Sequence, residues 1–71
     1  MAVKNNLRKI LSDRGLKQTW LADKSGLDRS TLSSIVANKH STSLEAAMKI
    51  SKVLNLDIDE IFELEDDENI D

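Results

Sequence analysis

Apolar residues recur at helical spacing through most of the chain, separated by glycine, asparagine and short polar segments. Leu7, Ile10 and Leu11 follow the i, i+3, i+4 pattern of an amphipathic helix, which predicts a first helix within residues 4–14. Gly15 is expected to end this helix, because glycine takes the left-handed conformation of a helix terminus without steric cost.

Two short helices joined by a tight turn are predicted next. The first spans residues 18–25 and turns Leu21 and Ala22 inward, and Gly26 supplies the left-handed residue of the turn. The second spans residues 29–37, and at about 100° per residue its apolar side chains share one face. Its opposite face carries only small side chains, namely Ser30, Ser33, Ser34 and Ala37.

Two further helices are predicted before the end of the chain. A broad apolar stripe over residues 44–54 indicates a fourth helix, and residues 58–62 indicate a short fifth. Residues suited to helix ends are Asn5 or Asn6 (first helix), Asp28 and Asn38 (third), Ser43 (fourth), and Asp57 with Glu60 (fifth). Residues 61–65 alternate in polarity and would suit pairing in a dimer, but no strand is predicted.

These elements predict an all-α fold of five helices containing a helix-turn-helix, in one domain over residues 1–64. The chain has 71 residues, and a domain of this size buries only about 60 % of the surface that its unfolded chain exposes. The end segment, residues 65–71, is acidic and has little apolar surface, so we expect it to be disordered.

Composition excludes several classes of function. The chain contains no cysteine, which excludes disulfides and thiolate metal sites, and its one histidine, His40, has no partners at metal-ligand spacing. No metal or other cofactor is therefore expected. No nucleophile, base and orienting group stand in a catalytic arrangement, so neither an enzyme nor a catalytic residue is predicted. The absence of a membrane-spanning apolar run and of a signal peptide indicates a cytoplasmic protein without membrane contact.

The charges are strongly segregated, although the formal net charge is only -3. Residues 1–56 hold all ten Lys and Arg but only four acidic residues, so this part carries +6. Residues 57–71 hold the other nine acidic residues and carry -9. A basic body with an acidic end is one of the asymmetries that suggest a nucleic-acid partner.

An ordered set of motifs then points to a family. The motifs are NNLRKI, the G-L-x-Q of residues 15–18, LADKSGLDRSTLSSI, the loop NKHSTSLE, and the segment from Ala47 to Phe62. Together they resemble the Cro and phage-repressor type of helix-turn-helix transcription regulator, also called the xenobiotic-response-element family. The resemblance covers residues 6–62 and implies a lambda-repressor-like fold whose third helix enters the major groove of double-stranded DNA.

The resemblance also implies contacts with DNA phosphates. Gln18 opens the second helix, where unpaired amides and the positive end of the helix dipole favour an anion. The predicted phosphate-contacting residues are Lys17, Gln18, Asn38, Lys39, Ser41 and Thr42. The alternative interpretation is an ordinary solvated helix start and loop.

Base recognition is expected at the third helix. Arg29 can make a bidentate pair with guanine O6 and N7, which discriminates by about 1–3 kcal/mol. The alternative is a surface arginine paired with Asp28 or a phosphate. Ser30, Ser33 and Ser34 match the other base-facing positions, where short hydroxyls specify weakly and through water.

Three positions depart from the family pattern. Relatives often carry Arg and Glu as a buried pair where this chain has Leu11 and Val36, so we expect an apolar contact there. Trp20 stands where an acidic residue is common, and we expect it to cover the edge of the first or third helix rather than the DNA backbone. Thr42 replaces the usual loop proline.

The sequence therefore predicts a transcription regulator that binds a near-palindromic operator as a homodimer, with repression as the default mode and activation by contact with polymerase as the alternative. The predicted dimer interface consists of Ile58, Ile61, Phe62 and Leu64, with closure of the core as the alternative role of Ile61 and Phe62. The alternative function is an antitoxin or adaptor that keeps the fold and engages a partner protein through residues 65–71.

Overall fold

The computed structural model describes residues 2–39 and 42–65. Five helices and two strands follow one another in these ranges: β1 (Ala2–Asn5), α1 (Leu7–Arg14), α2 (Gln18–Ser25), α3 (Arg29–Val36), α4 (Leu44–Leu54), α5 (Ile58–Ile61) and β2 (Phe62–Glu65). The prediction of a five-helix fold is confirmed. The described residues do not include His40 and Ser41. They also do not include residues 66–71, which make up most of the predicted acidic tail.

The two ends of the described chain form an antiparallel sheet that the sequence pattern did not predict. Val3 faces Leu64 across the ladder, and Asn5 faces Phe62. The alternating segment at residues 62–65 therefore pairs with β1 of its own chain. The first helix correspondingly begins at Leu7, since residues 2–5 are extended.

The ends of the helices follow the predicted turn chemistry with one exception. Gly15 and Gly26 have φ of 67° and 76°, and Asn38 has φ of 59°, so all three take the left-handed conformation. The Ser43 hydroxyl accepts a hydrogen bond from the Ala46 amide at 3.1 Å. The exception is Asp28, which precedes α3 but whose carboxylate caps no amide of that helix.

The start of α5 carries the predicted capping box. The Glu60 carboxylate accepts a hydrogen bond from the backbone amide of Asp57 at 3.0 Å. This contact fixes the turn between α4 and α5 and directs the two apolar residues that follow into the core.

One apolar core joins the helices. Leu7, Leu21, Leu32, Ile50 and Ile61 are its largest fully buried side chains. Leu11 and Val36, the two departures from a charged pair, are both buried in this cluster, and half-buried Trp20 packs against its edge. The core is thus apolar at both of these positions.

Ser25 is the only buried polar residue in the part of the chain that the structure describes. Its hydroxyl donates to the Leu21 carbonyl at 2.7 Å, so its burial leaves no donor unsatisfied. This small side chain at the end of α2 lets the chain turn tightly toward α3.

Candidate nucleic-acid interface

The helix-turn-helix is held by backbone geometry at Gly26. The Leu27 amide donates to the Ala22 carbonyl at 3.1 Å, which closes α2 with a left-handed residue between the two helices. Leu32, Ile35 and Val36 bury one face of α3 against the core. The other face of α3 is thereby directed outward.

That outward face carries the four predicted base-contacting residues, which we call the reading face: Arg29, Ser30, Ser33 and Ser34. The first three are exposed and Ser34 is half-buried. Beyond Arg29 the side chains of the reading face are short, because a serine side chain ends at one hydroxyl. Another surface can therefore approach the backbone of α3 closely.

Arg29 pairs with an acid other than the one expected. Its Nη2 lies 3.5 Å from Asp23 Oδ2 in α2, and no pair with Asp28 is formed. Both side chains are 66 % exposed, so this ion pair is screened by water and stabilises the fold little. The guanidinium remains able to exchange Asp23 for another acceptor.

The predicted phosphate-contacting residues flank the reading face. Lys17 is exposed directly before α2, Gln18 opens that helix and is half-buried, and Lys39 is exposed beyond the end of α3. Thr42 is half-buried before α4, whereas Ser41 is not among the described residues. Within the described ranges neither Lys17 nor Lys39 is paired with a carboxylate, so both charges face solvent.

Asn38 and Asn5 form a hydrogen-bonded pair beside the end of α3. The backbone amide and the Nδ2 of Asn5 donate to Asn38 Oδ1 at 3.0 Å and 3.2 Å. The same Nδ2 donates to the Ile35 carbonyl at 2.7 Å. The sequence singled out Asn38 but gave no signal that Asn5 would reach it, because the two are 33 positions apart.

The outer face of α1 adds further positive charge near this pair. Lys9 Nζ lies 2.8 Å from Asp13 Oδ2. The hydrogen bond to Asp13 and the attraction of its carboxylate raise the pKa of Lys9. This amine is therefore protonated at neutral pH.

The predicted dimer residues do not all reach the surface. Ile61 and Phe62 are 0 % and 7 % exposed, so they close the core, and only an edge of Phe62 remains at the surface. The fifth helix is only one turn long, and the strand that follows it directs Phe62 inward. Ile58 is half-buried and Leu64 is 62 % exposed.

Two exposed apolar residues that the sequence did not single out lie beside Ile58 and Leu64. Val3 is 39 % exposed and Leu44 is 72 % exposed. Together with the edge of Phe62 they line an open groove of about 590 Å³, whose large apolar residues we call the apolar groove: Val3, Leu44, Ile58, Phe62 and Leu64. Asp59 and Glu63 also line it. The position of Val3 in this groove was not predicted, because it depends on the pairing of β1 with β2 from the other end of the chain.

Residues 2–39 and 42–65 contain neither a membrane-spanning helix nor a cluster of metal ligands. None of the helices described there combines the length and the apolar character needed to cross a membrane. No group of three or more His, Cys, Asp or Glu side chains that could hold a metal ion occurs there either.

Comparisons with known proteins agree with this architecture. The chain is 39 % identical over 66 residues to an uncharacterized HTH-type transcriptional regulator of Methanocaldococcus jannaschii, covering 93 % of this chain and 100 % of that protein. It is 32 % identical over 66 residues to another uncharacterized HTH-type transcriptional regulator, from Archaeoglobus fulgidus, covering 93 % and 94 % of the two.

A solved structure is also similar. A crystal structure of a protein from Bacteroides fragilis, described as a candidate DNA-binding protein, superposes with a TM-score of 0.76 at 26 % identity and covers 86 % of this chain and 98 % of its own. The model of the Cro/C1-type HTH DNA-binding domain matches residues 6–67. The chain belongs to the Cro/C1-type helix-turn-helix family of DNA-binding transcription regulators, which are not enzymes.

Proposed function

We propose that this protein is a sequence-specific transcription regulator that inserts α3 into the major groove of its operator. The observation that carries the proposal is the division of α3 into a buried apolar face and an exposed reading face of one long cation and three serines. Arg29 would exchange Asp23 for guanine O6 and N7, and the serines would contact bases directly or through water.

The phosphate contacts would come from both sides of this helix. Lys17 and Gln18 would bind one phosphate at the start of α2, and Asn38, Lys39, Ser41 and Thr42 would bind the next near the start of α4. Since three serines discriminate weakly, these contacts would supply most of the affinity, and DNA shape would contribute to specificity.

The regulator would act in the cytoplasm as a homodimer on a near-palindromic operator. The apolar groove supports this part of the proposal, because exposed apolar patches on a small domain mark interaction surfaces. Leu44 and Leu64 would contribute the largest exposed apolar area to the contact. Repression by occlusion of a promoter is the mode that requires nothing of the protein beyond DNA binding.

In vitro selection from randomised duplex DNA tests the proposal. We expect enrichment of two symmetric half-sites whose centres lie about 34 Å apart, or one helical turn. Failure to enrich any sequence above the starting pool would overturn it. A reporter whose promoter overlaps the selected operator then separates repression from activation by the sign of the change on expression of the protein.

Removal of the acidic end of the chain distinguishes DNA-binding regulation from the alternative function, an antitoxin or adaptor that engages a partner protein. A chain that lacks residues 66–71 should keep its operator affinity within about twofold if those residues only solubilise the protein. Unchanged DNA binding together with loss of a co-purifying partner would favour the antitoxin or adaptor function.

A further inference from the structure

Asn5 is fixed at the end of β1 by contacts with two other elements. Its Oδ1 accepts a hydrogen bond from the Leu7 amide at 3.0 Å, and its Nδ2 donates to the Ile35 carbonyl in α3 at 2.7 Å. These backbone partners define which end of the Asn5 carboxamide is oxygen and which is nitrogen, because an amide can only donate and a carbonyl can only accept. One proton of Nδ2 is then left for a further acceptor.

Asn38 supplies that acceptor, and this determines the orientation of its own side chain. Asn38 Oδ1 receives hydrogen bonds from the backbone amide and the Nδ2 of Asn5, which occupies both of its lone pairs. The NH₂ group of Asn38 must therefore point away from Asn5. It makes no hydrogen bond to any residue within the described ranges.

The surface beside Asn38 suits an anion. An open cleft of about 500 Å³ lies between the outer face of α1 and the end of α3, and Asn38 lines it together with Arg8 and Lys9. No acidic residue lines this α1–α3 cleft. Arg8 is exposed and is not paired with any carboxylate in the described part of the chain.

We propose that the α1–α3 cleft binds a DNA phosphate through Asn38 Nδ2 and the Arg8 guanidinium, and that Asn5 is its positioning residue. The inference rests on the proposed DNA binding. It adds Arg8, which lies outside the helix-turn-helix, to the proposed phosphate contacts. It also implies that Asn5, the last residue of β1, orients the Asn38 side chain.

A double-mutant cycle measured as operator affinity tests the role of Asn5. Asn5→Ser keeps a hydroxyl that can accept from the Leu7 amide and keeps the backbone amide that donates to Asn38, but it removes the Nδ2 hydrogen bonds to Asn38 and Ile35. Asn38→Gly removes the side chain at a position whose φ of 59° suits glycine. We expect Asn5→Ser to weaken binding about fivefold to tenfold in the wild-type background and less than about twofold in Asn38→Gly. Equal losses in both backgrounds would overturn the inference.

Asn38→Asp separates orientation from stability. A carboxylate accepts both hydrogen bonds from Asn5 and tolerates positive φ, so the melting temperature should not fall. It cannot donate to a phosphate and repels it, so operator affinity should fall by more than about tenfold. Retained affinity in this variant would contradict the assignment of Asn38 Nδ2 as a phosphate donor.

Arg8→Gln tests the second donor. It should lower the slope of log affinity against log salt concentration by about one on any duplex, as expected for a lost phosphate contact. Lys52→Gln is the matched control, since Lys52 is exposed in α4, lies outside the cleft and the helix-turn-helix, and should leave the slope unchanged. Equal slopes for Arg8→Gln and wild type would remove Arg8 from the site.

The two proposals fail in different ways. If the wild-type protein binds no selected duplex, the proposed function and this inference fall together. If the wild type binds but the cycle shows no coupling between Asn5 and Asn38, only the inference falls.

Discussion

The helix-turn-helix (residues 18–36) and the terminal sheet (β1 and β2) differ in the chemistry of the surface that each exposes and in the contacts that hold each together. Residues 18–36 form two helices around one glycine turn, bury their apolar faces, and expose a polar, cation-flanked surface. The sheet joins the two ends of the domain and leaves Val3 and Leu64 exposed beside each other. From this difference we expect the surface of the helix-turn-helix to bind DNA and the surface of the sheet to bind protein.

The two surfaces are also physically linked. Asn5, the last residue of β1, hydrogen bonds to Ile35 and Asn38 at the end of α3. A change at the sheet can therefore reach Asn38, a proposed phosphate contact, through one side chain. Mutations on each surface should separate stability, assembly and DNA binding.

The largest expected effect is loss of the core behind the reading face. Leu32→Ala removes a fully buried side chain of α3 and should destabilise the protein by about 2–5 kcal/mol. Urea unfolding followed by circular dichroism measures this. Ser33→Ala, on the exposed face of the same helix, is the control and should change stability by less than about 0.5 kcal/mol. Similar losses for both would contradict the assigned faces of α3.

The next largest effect should fall on assembly. Leu64→Glu places a charge in the apolar groove and should weaken the homodimer by at least about tenfold, while the fold survives because this side chain is already 62 % exposed. Sedimentation equilibrium gives the dimer constant. Thr19→Glu adds the same charge at an exposed position of α2 and should leave assembly intact. An unchanged monomer–dimer equilibrium in Leu64→Glu would exclude the groove as the interface.

A smaller effect is expected for one phosphate contact. Lys39→Ala should weaken binding to every duplex alike and reduce the salt slope by about one. Affinities for the selected operator and an unrelated duplex, each over a salt series, measure both quantities. A loss confined to the operator would instead indicate that Lys39 reads bases.

The smallest effect concerns the ion pair that competes for Arg29. Asp23→Asn removes an exposed pair with an N–O distance of 3.5 Å and should raise operator affinity by about twofold to threefold. Glu65→Gln in β2 removes an equal charge at an exposed position outside α3 and outside the lining of the apolar groove, and is the control for net charge. Equal gains in the two variants would show that the Asp23 pair itself does not matter.

The limits of sequence-based prediction follow the same division between the two regions. The helices and the turn at Gly26 were predictable, because apolar spacing, left-handed glycine and Ser43 are local signals. β1 was missed because four residues, AVKN, carry no decisive alternation and their partner lies at the other end of the domain. The same dependence on distant pairing hid Val3 and the link from Asn5 to Asn38.

Ile61 and Phe62, two of the four residues predicted at the dimer interface, take their alternative role in the core for a related reason. Apolar residues in a short last helix suggest an unfilled interface, but the turn at Asp57 and the start of β2 direct Ile61 and Phe62 into the core. Burial of this kind depends on chain direction after the helix, which the local pattern does not encode. Leu64 lies beyond this turn in β2, pairs with Val3 across the sheet and is 62 % exposed.

Replacement of guanine by 7-deazaguanine, one position at a time in the selected operator, tests major-groove reading by α3 most directly. The substitution removes the N7 acceptor in the major groove and leaves base pairing intact. We predict that one symmetric position per half-site weakens wild-type binding by about tenfold, and that Arg29→Ala binds the normal and substituted operators equally. Uniform wild-type affinity across all substituted operators, or an equal loss in Arg29→Ala, would contradict base recognition by Arg29 in the major groove.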